Sequence, residues 1–178
     1  MLQGSSRDTE KSCLSLFTSS MATNTSLNRL LSKLLKKKFE GVFPIHYAIK
    51  KINKMKPNNS LIINSACISK SEDGHFFSVI KLNKKKLLIF DSLCKENAIL
   101  TLIKPVLPKF TEVKINKLQI QSNQSSYCGL FSTAFILTYY KKNSFSDFFK
   151  MLDYNHLENN DRIISDYLTE LVKDIVRK

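Results

Sequence analysis

From Ser26 onward the chain alternates between two hydrophobic periods. Leu27, Leu30, Leu31, Leu34 and Leu35 recur at helical spacing behind Ser26, which can act as an N-cap. Lys36, Lys37 and Lys38 then sit where cations suit the negative end of a helix. Phe39 to Pro44 reads as a connection, because Gly41 and Pro44 punctuate it. Pro44 starts a second helix with Ile45, Ala48, Ile49 and Ile52 on one face, and Lys56 to Asn59 form a turn. The period then shortens. Leu61 to Ile68, His75 to Leu82 and Lys86 to Phe90 are short apolar, β-branched runs, separated by a turn at Ser71–Gly74 and a tight connection at Asn83–Lys85. The last two runs read as an antiparallel hairpin, which puts His75 and Asp91 at the same end of neighbouring strands.

Cys94 to Leu102 returns to helical spacing, and Pro105 and Pro108 mark a connection. Val113 to Gln121 reads as a further strand leading into a polar loop. A long apolar run from Leu130 to Tyr140 predicts a buried helix that starts at Cys128. A short amphipathic helix around Phe145–Leu152 follows. A final helix, capped by Asn160 or Asp161, carries the stripe Ile163, Ile164, Tyr167, Leu168, Leu171, Val172 and Ile175. Residues 1–25 show little periodicity and many Ser, Thr and charged residues, and are expected to form a disordered tail. Residues 26–178 are expected to make a single domain.

Charge adds an expectation about partners. The net charge is +13, which suits non-specific contact with a polyanion such as DNA. Lysine far outnumbers arginine, so a solvated lysine surface fits the same composition. No apolar run is long enough to span a membrane, and the cluster Cys13–Phe17 is too short for the core of a signal peptide. A non-secreted protein without membrane contact is expected. The four cysteines, Cys13, Cys67, Cys94 and Cys128, show neither C-x-x-C pairing nor histidines at ligand spacing, so no metal site is expected. One nucleophilic thiol and three bystanders fit better than a disulfide framework.

Cys128 is the thiol in a useful place. It stands where the polar loop Gln121–Tyr127 becomes a helix, and a helix N-terminus stabilises anions and offers free N–H groups. A buried, inert cysteine is the ordinary alternative. A nucleophilic thiol needs a base, an orienter for that base, and donors for an oxyanion. His75 supplies the base, Asp91 the orienting carboxylate, and the Cys128 N–H with the Gln121 carboxamide the donors. Taken singly, each of these residues is as well explained as a turn or loop residue. His46, with no polar cluster around it, reads as a helix-surface histidine.

These blocks resemble the adenovirus-type cysteine proteases (adenain-like), most closely those of polinton/Maverick elements and adenovirus-like DNA viruses. The likeness rests on Gly74-His75-Phe76, on Phe90-Asp91-Ser92, and on Gln121 standing seven residues before Cys128-Gly129-Leu130-Phe131. Phe39–Pro44 and Asn160–Ile164 extend it more weakly, over roughly Lys36 to Leu168. The resemblance implies an α+β fold with a central mixed β-sheet flanked by helices and papain-like site geometry in permuted order. It implies a cysteine endopeptidase that cleaves virion precursor proteins during particle maturation, acting in the virion and in the host nucleus or cytoplasm, as a monomer. It implies no cofactor for the chemistry, but activation by DNA or by a viral peptide; no position here matches the family's peptide-linking cysteine. Phe76 stands where many members have Trp, and Asp91 where adenoviral members often have Glu. Leu2-Gln3-Gly4-Ser5-Ser6 loosely resembles the family's cleavage preference, so self-trimming is an expectation. Two other readings stay open: a protease removing SUMO- or ubiquitin-like tags, and a non-catalytic, basic DNA-binding particle protein.

Overall fold

The computed structural model describes residues 23–65 and 74–176. Most of the expected tail, Cys13, Cys67 and most of the turn at 71–74 lie outside the described residues. The described chain is an α+β fold in which helices cover both faces of a five-stranded mixed sheet of order β1-β2-β3-β4-β5.

Helix α1 spans Asn24–Leu35 and starts earlier than the leucine pattern indicates. Thr23 is its N-cap. The Thr23 hydroxyl accepts from the Ser26 N–H, and the Ser26 hydroxyl accepts from the Thr23 N–H. Ser26 is therefore the third residue of a capping box rather than the cap itself. The segment read as a connection is strand β1, Phe39–Pro44. It pairs in parallel with β2, Asn59–Asn64, with a register shift between Phe39 and Val42. Gly41 sits in that irregularity at φ +132°, a conformation natural to glycine. Gly and Pro, normally breakers, are tolerated here because β1 is an edge strand.

Helix α2 follows directly as Ile45–Lys54, with His46 exposed on its surface as the sequence suggested. Strands β3, Phe76–Lys81, and β4, Lys86–Phe90, form the expected antiparallel hairpin, with Ser78 opposite Phe90. Helix α3 is Glu96–Ile103, and β5 is Glu112–Ile115, parallel to β4. The expected strand to Gln121 thus stops at Ile115, and residues 116–127 are irregular. Helix α4, Cys128–Lys142, begins at the expected cysteine. Helix α5 is the single turn Ser146–Phe149, and α6 is Asn160–Val176.

Alternation along the strands builds two cores. Ile62, Ile80, Leu88 and Phe90 face α1, α4 and α6. Leu61, Ile63, Phe77, Val79, Leu87 and Ile89 face Ala48 and Ile52 of α2 and Ile99 and Ile103 of α3. Helix α4 lies between the sheet and α6, and every residue from Cys128 to Thr138 is buried. Its apolar character all round, rather than a stripe, is what that position requires. Phe90, the last residue of β4, stacks on Phe135 of α4 with ring centroids 4.4 Å apart, and Phe148 packs edge-on at 5.1 Å. This cluster fixes the end of β4 against the helix that carries Cys128.

Gly41→Ala is expected to cost about 1–3 kcal/mol, the usual scale for a non-glycine residue held in such a backbone region. The added Cβ would also meet the Phe43 ring at 2.9 Å. Urea denaturation of the variant checks this; an unchanged midpoint would show that β1 rearranges freely.

Candidate active site

The hairpin delivers its two end residues to each other. The His75 Nε2–H donates to Asp91 Oδ1 at 2.5 Å. The Asp91 carboxylate is fully buried, so each of its oxygens needs partners. Oδ1 also accepts the Leu93 N–H at 3.0 Å, and Oδ2 accepts the Lys95 N–H at 2.6 Å. Burial works against the charged form. The His75 bond and charge and these two backbone donors outweigh it, holding the Asp91 carboxyl below the ordinary range.

Cys128 opens α4 beneath this pair. Its sulfur accepts the N–H of Phe76, the residue after His75, at 3.4 Å. As the first helical residue, Cys128 has an N–H of the kind that a helix leaves without an intrahelical partner. Burial pulls the His75 pKa down. The bond to Asp91, the bond to Cys128 and the charges of both overcome that and push it up to about 9. Asp91 holds Nε2, so Nδ1 is the nitrogen left to exchange a proton with the thiol. The start of α4 and the end of the β3–β4 hairpin thus bring Cys128, His75 and Asp91 into one cluster.

Gln121 is brought to the same loop but into a different setting. It is fully buried. Its Oε1 accepts from the Ser92 hydroxyl at 2.5 Å, and its Nε2 donates to the Ser125 carbonyl at 2.8 Å and to Ser125 Oγ at 3.2 Å. With both amide hydrogens used inside the loop, the carboxamide here acts as a strut of the cysteine loop, and the Cys128 N–H is left as the expected oxyanion donor at the site.

Several supporting residues escaped the sequence reading. Asn116, just past β5 and 3% exposed, accepts the Asp91 N–H at 2.8 Å and donates to the Asp91 carbonyl at 2.7 Å and to the Leu118 carbonyl at 3.0 Å. The Ser92 carbonyl accepts the N–H groups of Ile120 and Gln121, at 3.0 and 3.1 Å. Adjacent residues at the end of β4 therefore divide the work: Asp91 orients His75, and Ser92 anchors the loop that leads to Cys128. A lone Asn or Ser gives no such signal in a sequence. Cys94 lies three residues beyond Asp91 at φ +54°; burial, aided by the charges of Asp91 and Glu96, raises its thiol pKa, which suits an inert bystander.

Between the cysteine loop and residues 155–158 lies an open cleft of about 590 Å³. Gln119, Asn123, Gln124 and Asn155 line it with carboxamides, beside Leu157 and Glu158.

No family model and no curated protein sequence matches the chain. Among solved structures it is similar to the central domain of the uncharacterized Lpg1148 protein from Legionella pneumophila, at 18% identity and TM-score 0.45, over 79% of this chain and 88% of that one. It is also similar to AvrA, solved with IP6 and CoA, at 15% identity and TM-score 0.49, over 91% of this chain and 66% of that one. Likenesses this distant assign neither substrate nor reaction.

The raised His75 pKa has a consequence for stability. Below pH 6.5 the imidazole is protonated in both folded and unfolded chains, and the stabilisation from Asp91 and Cys128 is fully present. As pH rises from 6.5 through about 9 the folded state releases its proton and that stabilisation is lost. Stability measured by urea denaturation is expected to fall across this interval, and His75→Asn should remove the fall. An unchanged pH profile in the variant would refute the coupling.

Proposed function

We propose that this protein is a cysteine endopeptidase that cleaves virion precursor proteins during particle maturation. The observation that carries the catalytic part is the contact set joining Cys128 Sγ, the His75–Phe76 segment and the buried Asp91 carboxylate. The virion substrates rest on the resemblance in the His75, Asp91 and Cys128 blocks.

The reaction follows from the geometry. In this mechanism His75 accepts the Cys128 thiol proton, which makes the sulfur the nucleophile. The sulfur attacks the scissile carbonyl carbon, and the oxygen becomes an oxyanion facing the Cys128 N–H at the positive end of α4. The intermediate collapses as the C–N bond breaks, and the imidazolium gives its proton to the leaving amine. A thioester remains. Water attacks it, His75 takes the water's proton, the C–S bond breaks, and the released carboxylic acid and thiol restore the starting state. Throughout, Asp91 keeps the ring oriented through Nε2 and offsets the imidazolium charge.

Cys128→Ala and His75→Ala are each expected to lower turnover by several orders of magnitude, since such residues act as a unit. Asp91→Asn should be milder. Cleavage of co-expressed particle proteins, followed by mass spectrometry, reads this out. Cleavage that survives Cys128→Ala would overturn the reading. Covalent capture of Cys128 by a SUMO- or ubiquitin-derived electrophile would redirect it to tag removal.

The positive charge favours DNA as a further, non-specific partner. Lys36, Lys37 and Lys38 before β1, Lys84 and Lys85 between β3 and β4, and Lys141 and Lys142 ending α4 are all exposed. They collect at the sheet end away from His75. Phe39 pairs with Ser60, and Asn59 with Lys81, while the Tyr140 hydroxyl donates to the Lys38 and Asn58 carbonyls. Binding of random-sequence duplex DNA should weaken steeply with salt, with each phosphate contact adding about 0.9 to the log–log slope. Replacing Lys36, Lys37 and Lys38 by Glu should flatten that slope. No binding at low salt would remove DNA from the account.

A further inference from the structure

The loop that presents Cys128 is held from outside by the first turn of the last helix. Asn160, fully buried, donates through Nδ2 to the Ile120 carbonyl at 2.8 Å and to the Asp153 carbonyl at 2.8 Å, and accepts the Asp153 N–H at 2.8 Å. The next residue, Asp161, accepts from the Ser125 hydroxyl at 2.7 Å. Two consecutive residues of α6 therefore grip the loop near both its ends.

The Ser125 hydroxyl is the centre of the grip. A hydroxyl has one donor and two acceptor sites, and here all three are used. It donates to Asp161, and accepts from Gln121 Nε2 at 3.2 Å and from the Tyr127 N–H at 3.1 Å. A carboxylate only accepts, so Asp161 sets which way the hydroxyl proton points, and both lone pairs are left for the loop. Tyr127 is then fixed on both sides: Ser125 holds its N–H, and the Phe131 N–H donates to its carbonyl at 3.0 Å. The peptide plane of that carbonyl is the one that carries the Cys128 N–H, the expected oxyanion donor.

We propose that Asp161 is a positioning residue for the oxyanion site, acting through Ser125 on the Tyr127–Cys128 peptide; this rests on the proteolytic reading above. Asp161 and Ser125 contact neither the thiol nor the imidazole in the hydrogen bonds described. Their loss should therefore leave thiolate formation intact while weakening stabilisation of the tetrahedral intermediate.

The test uses the full chain and three measurements on Asp161→Ala, Asp161→Asn and Ser125→Ala. Alkylation of Cys128 by iodoacetamide needs the thiolate but no oxyanion site. Peptide turnover needs both. Amide hydrogen exchange at Tyr127 and Gln121 needs no activity. Asp161→Ala is expected to lower kcat about tenfold or more, the effect of losing one charge-assisted hydrogen bond, and Ser125→Ala, which loses all three bonds of the hydroxyl, at least as much, with KM and alkylation rate nearly unchanged. They should also speed exchange at Tyr127. Asp161→Asn, which still presents an acceptor oxygen, should restore most of both. Wild-type kcat in Asp161→Ala, or alkylation falling in step with turnover, would overturn the proposal. If the wild type is neither turned over nor alkylated faster than His75→Ala, the proteolytic reading fails instead. Exchange at Tyr127 then decides the latch by itself, and an unchanged rate in Asp161→Ala would overturn it.

Discussion

A fully buried carboxylate is the constraint around which this molecule is built. Asp91 must be charged to hold an imidazolium, and a buried charge is tolerated only when paired and hydrogen-bonded. Its partners come from three places: His75 across the hairpin, the Leu93 and Lys95 N–H groups of the turn after β4, and Asn116 bracing its backbone from beyond β5. Residues 92–95 turn so that the Leu93 and Lys95 N–H groups face the carboxylate, and β5 ends at Ile115, one residue before Asn116. The apolar packing serves the same end. The Phe90–Phe135 stack sets the height of β4 over α4, and hence of Asp91 over the level of Cys128.

The loop before the cysteine is ordered by hydrogen bonds, with Ile120 at its start buried in the core. Ser92 holds its start through the Ile120 and Gln121 N–H groups, Gln121 ties that start to Ser125, and Asn160 and Asp161 hold it against α6. Buried polar networks of this kind are stable only when every member is satisfied. Ser92 Oγ, Gln121, Ser125 Oγ and Asn160 all meet that condition. The loop can therefore be polar, irregular and still fixed, as a site needs when an N–H has to be aimed within a fraction of an ångström.

Much of the architecture was legible in the chain. The 3.6-residue period marked α1, α2 and α6, and a long apolar run marked α4. The two-residue period and the Asn83–Lys85 turn marked the hairpin, and from it the meeting of His75 with Asp91 followed. Strand β1 was hidden because Gly41 and Pro44 are breakers in most settings, and only its place at the sheet edge makes them harmless. The run to Gln121 looked like strand because Leu118 and Ile120 are apolar. Ile120 is in fact buried through a loop whose N–H groups bond to Ser92 rather than to a neighbouring strand.

Local pattern thus determined the main helices and the β3–β4 hairpin, and which thiol, imidazole and carboxylate stand at their ends, because periodicity and caps act over a few residues. Only the tertiary structure decided what Gln121, Asn116, Ser92, Ser125 and Asp161 do. Each is a single polar side chain with a partner far along the chain, as Ser92 to Gln121, 29 positions away, and Ser125 to Asp161, 36 positions away, show. A hydrogen bond is defined by where its partner sits in space, and for residues so far apart the packing of α6 and α4 against the sheet sets that position.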